Sequence, residues 1–461
     1  MIRLMKLFAI ISLLLLVSLP CVTHADIVEN IPVCTAPDGQ FLPWAVGDGK
    51  GGIVVVWEDH RTGKDWDVYA QRIDAAGEVL WGANGMPISR ERNNQRYLRM
   101  VRSGDRMIVA WTDRRAVRKW DVYAQAITRS GEVVWDEGGI PVCTHPANQS
   151  DIAVVSDGAG GAIIAWKDRR RGSAYHNLYV QRIGPDGQRM WEIDGVPVFL
   201  SGALQGNPQL ISDGRHGFYA VWWDVVGHEQ WHIMTHRLNM SGKSLWKTPV
   251  LVSPLKGIGG EPRAASDGRG GLIVVWQIYS NFINDNLYAQ RMDRKGRKRW
   301  GEDGVPICTA PSIQKHPSIA SDGRGGIVAV WQDERDVYSD LYAQRIAGNG
   351  KPLWAQNGIP ICVADGHQDA PSLVKCGKSE FFVAWLDYRE DYGDESNDAI
   401  YAQRIDIDGK AIWQENGIPI CTANGEQYPP FVVRSGSGEL TVVWSDARGD
   451  IGDIYVQQVR D

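Results

Sequence analysis

The stretch Asp322-Gly323-Arg324-Gly325-Gly326-Ile327-Val328-Ala329-Val330-Trp331-Gln332-Asp333-Glu334-Arg335, followed by Leu341-Tyr342-Ala343-Gln344-Arg345, decides the fold. Its first five residues are hairpin-turn chemistry, because glycine takes positive φ without steric cost. Ile327 to Trp331 is a strand-type run, and Leu341 to Ile346 is a second. Working outward, one strand is expected near Ser318-Ile319-Ala320 and another over Leu353-Trp354 and Ile359-Pro360-Ile361-Cys362. These four short strands, A to D in chain order, form one antiparallel unit.

The unit recurs. Its strand B tryptophan returns at Trp57, Trp111, Trp166, Trp222, Trp276, Trp331, Trp385 and Trp444, at spacings of 54, 55, 56, 54, 55, 54 and 59 residues. A second tryptophan follows at 81, 135, 191, 246, 300, 354 and 413. Four-stranded units at a fixed period predict an all-β chain folded as an eight-bladed β-propeller. The last copy stops after strand C, near Val459, whereas Ile31-Pro32-Val33-Cys34 is a strand D without a blade. The two ends are expected to complete one blade and so leave no open edge. One domain, residues 26–461, is predicted.

Ahead of it, Met1 to Lys6 is basic, Leu7 to Leu19 is apolar, and Thr23-His24-Ala25 suits a signal peptidase. This is the plan of a secretory signal over residues 1–25, and it predicts a secreted or periplasmic protein. The apolar run is about 13 residues, too short for a membrane span of about 20. No later segment qualifies, so no membrane span is expected in the mature chain. The net charge of −6 is spread along the chain, which argues against a nucleic-acid partner. A monomer is expected.

The Asp-Gly-x-Gly-Gly turn, the Trp-x-Asp-x-Arg unit and the Tyr-Ala-Gln-Arg strand, as in Asp322 through Arg345, resemble those of bacterial secreted β-propeller repeat proteins. The resemblance covers the mature chain and implies architecture, not activity. The sialidase Asp-box does not fit, because Ser321 and Asp322 are adjacent and Trp331 lies too far on.

Six copies carry Asp-x-Arg after strand B, from Asp59 and Arg61 to Asp446 and Arg448. Repetition in most blades points to an ion pair that shapes the B–C loop. A glutamine recurs before strand A at Gln40, Gln95, Gln149, Gln205, Gln314, Gln368 and Gln427. These either satisfy loop backbone groups or ring one mouth of the central channel.

Function is best sought where copies differ. Trp66, Trp120 and Trp231 share one B–C loop position, where the third copy carries Tyr175 and His176 and later copies carry polar or small residues. Such an aromatic arc beside amides suits a glycan or a protein segment. The leading expectation is a binding module on the B–C and D–A loop face, without cofactor or metal. The alternatives are a carbohydrate-active hydrolase or lyase on that face and an envelope-assembly protein. No nucleophile elbow, His-Glu-x-x-His or phosphate loop occurs. His145, His316 and His367 fall in separate D–A loops at unequal offsets. Cys34, Cys143, Cys308, Cys362 and Cys421 share a strand D slot, and Cys376 lies near enough in sequence to Cys362 for a bridge to be considered.

Overall fold

The computed structural model describes residues 30–460 apart from 173–174, 216, 227–229, 254–257, 280–283, 390–397, 437 and 450. The leader read over residues 1–25 lies outside the described residues, as does most of the long seventh-copy loop. The described residues form eight blades of four antiparallel strands and no helix. The sixth blade is representative, with strands Gln314–Ser321, Ile327–Asp333, Asp340–Ile346 and Ile359–Cys362. The strand A boundary falls four residues earlier than the sequence pattern suggests, because the glutamine belongs to the strand. Blades four and five are further joined by a parallel bridge between Trp231 and Ile258.

Ring closure is as expected. Ile31–Cys34 pairs with Asp453–Val459, with Ile31 opposite Val456 and Pro32 opposite Tyr455. The eighth blade is therefore built from both ends of the chain.

Strand B is the buried spine of each blade. All seven residues of Ile327–Asp333 are buried, and the eight strand B indoles are fully enclosed. The hairpin before it is held by Asp322, whose Oδ1 accepts from the amides of Arg324 at 2.7 Å and Gly326 at 2.8 Å. A Cβ at Gly326 would lie 2.2 Å from the Ile346 carbonyl oxygen, so glycine alone fits. Gly358 has φ of 92° and lies under the Trp331 indole, 2.6 Å from where a Cβ would stand. This is the physical content of the Gly-Ile-Pro-Ile pattern.

The Tyr-Ala-Gln-Arg strand works toward the A–B and C–D turns. Gln344 donates to the Ala355 carbonyl at 2.7 Å and accepts from the Trp354 amide at 3.1 Å. Arg345 pairs with Asp322 at 3.1 Å. The second tryptophan ties one blade to the next: Trp300 Nε1 donates to the Gly348 carbonyl at 3.2 Å, and Trp246 to that of Arg294 at 2.8 Å. The A strands of successive blades lie against one another around the axis.

Candidate functional site

The B–C and D–A loops meet at the other face. The Gln95 amide donates to the Trp66 carbonyl at 2.7 Å, and the Trp66 amide donates to Asn94 Oδ1 at 3.1 Å. Gln149 and Trp120 repeat the first bond at 2.9 Å, as do Gln205 and His176. Each divergent loop residue is thus fixed against the next blade's inner strand.

The Asp-x-Arg pairs are consumed by structure. Asp59 takes the Trp57 indole N–H at 2.7 Å and a bidentate approach from Arg61 at 2.7 and 2.6 Å. Arg61 also covers the Tyr69 ring at 3.8 Å and donates to the Asn84 carbonyl at 2.8 Å. Blades two, three, six, seven and eight repeat the indole, guanidinium and tyrosine contacts. A buried carboxylate saturated by an arginine and an indole offers no vacant oxygen to a cation.

The seven glutamines occupy equivalent places, each opposite the strand B acid position of its own blade: Gln40 to Asp59, Gln314 to Asp333, Gln427 to Asp446. All seven side chains are buried. Their amides donate inward, Gln40 to the Asp38 carbonyl at 3.1 Å, Gln95 to Asn93 at 2.7 Å, Gln149 to Ala147 at 2.6 Å and Gln427 to Gly425 at 2.6 Å. Gln205, Gln314 and Gln368 donate to Ser201 Oγ, the Ser312 carbonyl and the Gly366 carbonyl. Their amide nitrogens brace the D–A loops, while Oε1 of Gln40, Gln95, Gln149, Gln314, Gln368 and Gln427 is buried without a hydrogen-bond partner among the described residues.

Two residues past most of these glutamines the chain enters the left-handed region without glycine. The residues are Leu42, Tyr97, Asp151, Asn207, His316 and Ala370, with φ between 49° and 56°. Strand pairing shifts register there, between Phe41 and Trp44 in the first blade. A bulge of this kind turns a side chain out of the sheet. Leu42 is 56% and Tyr97 51% exposed.

The bulges complete a ribbon whose loop half the sequence had marked. Tyr428 meets Phe41 edge-on at 5.3 Å, and Phe41 meets Trp66 at 5.9 Å. His60 lies against Trp66 at 4.7 Å. The Arg96 guanidinium sits 4.7 Å from the Trp66 ring and 5.4 Å from Tyr97. Tyr97 meets Trp120 at 6.3 Å, and Arg114 lies 5.8 Å from that indole. The ribbon crosses blades eight, one and two, and Trp66 and Trp120 are half-buried within it.

Glu58 sets its centre. This enclosed carboxylate accepts from Arg96 Nε at 2.6 Å and from the Tyr97 amide at 2.6 Å. Burial pushes its pKa up, against the opposing pull of Arg96. Trp231 lies apart from the ribbon in blade four, packed on Trp223 at 5.0 Å. Tyr175 is 48% exposed in blade three, and His176 beside it is half-buried.

All six described cysteines are buried and none is in a disulfide, so Cys362 and Cys376 are not bridged. Nδ1 of His145 accepts from Ala147 in its own loop, and that of His367 accepts from Ser339 in the B–C loop of the sixth blade. No cluster of three metal-type ligands occurs among the described residues. No helix among them is long and apolar enough to cross a membrane.

No family model and no curated protein matches the chain. Among solved structures it is similar to an ulvan lyase bound to a sugar fragment, at 10% identity over 84% of this chain and 98% of that one, with a TM-score of 0.48. It is also similar to an α-L-arabinanase of Penicillium chrysogenum, at 11% identity over 70% and 98%, TM-score 0.43. A microbial sialidase shares 13% identity over 74% and 73%, TM-score 0.39. At this distance the likenesses say nothing of what this chain does.

One acid cleft stands at the outer edge of the same face. It encloses about 530 Å³ between Asp65, Asp67, Arg90, Glu91, Arg92 and Glu137. Burial, then Asp59 and Asp65, raise the Asp67 pKa to about 7. Asp340, its counterpart in blade six, is raised to about 6 by burial and by Asp336 and Asp333.

Proposed function

We propose that this chain is an exported, monomeric glycan-recognition module that holds a sugar chain along the aromatic ribbon, without cofactor. The observation that carries this reading is the continuity of Tyr428, Phe41, Trp66, Arg96, Tyr97 and Trp120 across three blades. A sugar ring offers an apolar C–H face and a rim of hydroxyls. Indole and phenol faces carry negative quadrupoles that suit the first, and guanidinium and carbonyl groups suit the second. The strained Tyr97 backbone and the Glu58 clamp support a preorganised surface, which lowers the ordering cost of binding.

The test is binding of the purified mature protein to a glycan array, beside a Trp66→Ala/Trp120→Ala/Trp231→Ala variant and a Phe41→Ala/Tyr97→Ala variant. Both variants are expected to lose at least about tenfold in affinity, the scale of a truncated aromatic anchor. Trp231→Ala alone is expected to bind normally. Absence of glycan binding by the native protein would overturn the reading and turn the search to protein segments.

A hydrolase or lyase remains the second reading, favoured by Asp67. A carboxyl that keeps its proton near neutral pH inside a cleft is suited to general-acid work. The same trait in Asp340 of another blade assigns it to the repeat instead. Turnover of a bound glycan that vanishes in Asp67→Asn would reverse that assignment.

A further inference from the structure

The fourth and fifth blades also depart from the repeat at their C–D turns. In six copies four residues ending in glycine separate the second tryptophan from strand D, as in Gly301-Glu302-Asp303-Gly304, and none of them is lysine or arginine. The fourth copy has three, Lys247-Thr248-Pro249, with a lysine and no acid. Ahead of the C–D turn glycine the fifth copy carries Arg294-Lys295, whereas the other copies carry at most one cation in those two places. Blade packing is common to all copies and calls for neither change.

The structure brings the two departures together. Trp246 Nε1 donates to the Arg294 carbonyl at 2.8 Å, and Arg237 Nη1 donates to the same oxygen at 3.2 Å. The turn of blade five is thereby pinned to blade four. Between them lies a cleft of about 450 Å³ whose charged walls are Arg237, Lys247, Arg294 and Lys295, with no acid among its described lining residues. Leu245, 44% exposed, and the half-buried Val250 supply apolar surface in it.

Charge decides what such a cleft can hold. Arg237 is neutralised by Asp213, Nη2 to Oδ2 at 2.5 Å. The Arg294 guanidinium rests on neutral oxygens, the carbonyls of Gly270 at 3.1 Å and Asp213 at 3.3 Å. Gly270 leaves it that place, since a Cβ there would stand 2.1 Å from Arg294 Nη2. Lys247 and Lys295 are exposed. The acids next to these residues in sequence are committed elsewhere, Asp293 to Arg297 at 2.7 Å and Glu302 to Lys298 at 3.6 Å. Of the four cations, Lys247, Arg294 and Lys295 therefore line the cleft without a carboxylate partner among the described residues. A cleft walled by one sign of charge focuses its field and draws in counter-ions. A carboxylate or a sulfate ester brings a single negative charge. A phosphate monoester carries about −1.5 to −2 at neutral pH and three acceptor oxygens, the closer match to two ammonium groups and a guanidinium.

We propose that this cleft, on the face opposite the aromatic ribbon, binds a phosphate monoester. The anion sits between Lys247, Arg294 and Lys295, and its carbon body lies toward Leu245. The site shares no residue with the ribbon and does not depend on the glycan reading.

The experiment titrates the purified chain by calorimetry at neutral pH with glucose 6-phosphate, inorganic phosphate, glucose 6-sulfate and glucuronate. A Lys247→Gln/Lys295→Gln variant runs alongside, with a Trp66→Ala/Trp120→Ala variant as the control for the ribbon. Both lysines are exposed, so the first variant is expected to unfold at the native temperature. The native chain is expected to bind glucose 6-phosphate about tenfold or more tighter than the sulfate ester or glucuronate, and the lysine variant to lose about tenfold or more of that affinity. Inorganic phosphate should bind several-fold more weakly than the ester, for want of the carbon body, and the tryptophan variant should bind the ester as the native chain does. Inorganic phosphate bound as tightly as the ester would overturn the assignment to a monoester. Equal affinity for phosphate and carboxylate sugars, native affinity in the folded lysine variant, or no binding of any of the four probes would overturn the site itself.

Discussion

The guanidinium of Arg61 lies 3.3 Å from the thiol sulfur of Cys34, across the seam between the first blade and the last. The same reach joins Arg170 to Cys143, Arg335 to Cys308, Arg389 to Cys362 and Arg448 to Cys421. Each of those thiols also faces the strand B aspartate, as Cys421 does Asp446 at 3.7 Å. The fourth and fifth copies lack the loop arginine, and no cysteine precedes them at this slot. Cysteine therefore stands at this seam only where the following blade carries the loop arginine, although Ser89 holds the slot ahead of Arg115.

Seam thiols should be chemically silent. Burial raises Cys34, Cys143 and Cys362 to about 12, and Cys308 and Cys421 to about 11. The thiolate is the reactive form, so an aromatic disulfide reagent at pH 8 is expected to label none of the five in the native protein and all of them in denaturant. Rapid native labelling of any one would show that its seam opens.

Stability should fall as pH rises from about 4 to about 7. Asp67 holds its proton more tightly folded than unfolded, at about 7 against an ordinary value near 3.8. Its contribution is full below the unfolded value and is lost as the pH passes through the folded one. Asp67→Asn is expected to flatten that part of the profile and to raise stability at pH 8 by on the order of 1–3 kcal/mol. Thermal unfolding across the pH series measures both effects.

Trp331 and Trp276 are both fully buried, yet only Trp331 has an acceptor for its indole N–H, Asp333 Oδ2 at 2.7 Å. In the fifth blade Ile278 stands where the aspartate would be, and Trp276 Nε1 has no partner. Trp331→Phe is therefore expected to cost about 1–3 kcal/mol more than Trp276→Phe, because it strips a donor from a buried carboxylate. Denaturant midpoints of the two variants give the difference.

Gly452 is the loop position that holds tryptophan in blades one, two and four. A Cβ there would lie 2.7 Å from the Phe41 ring. Gly452→Val is expected to push Phe41 off the seam between blades eight and one and to break the ribbon. Glycan affinity should drop several-fold while the unfolding temperature changes by no more than a few degrees. Unchanged affinity in the folded variant would remove Phe41 and Tyr428 from the site.

Blade number, strand order and ring closure were legible because each rests on eight near-copies of one pattern. The B–C aromatics were legible because the copies differ there. Burial of the glutamines was not, since a repeated position shows equivalence and says nothing about exposure. Phe41, Tyr97 and Arg96 escaped for another reason. They sit at the strand A bulge, where simple alternation no longer says which way a side chain turns. Comparing the copies one and two places past each glutamine would have singled out Phe41, Tyr97 and Tyr428. The basic run from Arg294 to Arg299 also passed unremarked, and the Arg294 and Lys295 end of it lines a cleft with Arg237 and Lys247 on the opposite face.

Closure by Ile31–Cys34 gives the chain a temporal asymmetry. That strand is made before every other strand of the ring, and its partner Asp453–Val459 is made after all of them. Asn30 likewise waits for Gln457, whose side chain it meets at 2.7 Å. Seven blades can assemble from local hairpins as they emerge, but the eighth cannot exist until Asp453–Val459 has been made. Ile31–Cys34 must stay unpaired while the seven intervening blades are made, and a nascent chain halted before Asp453 would carry a missing blade and an exposed seam. The last joint to form is thus a built-in check that every blade has been made.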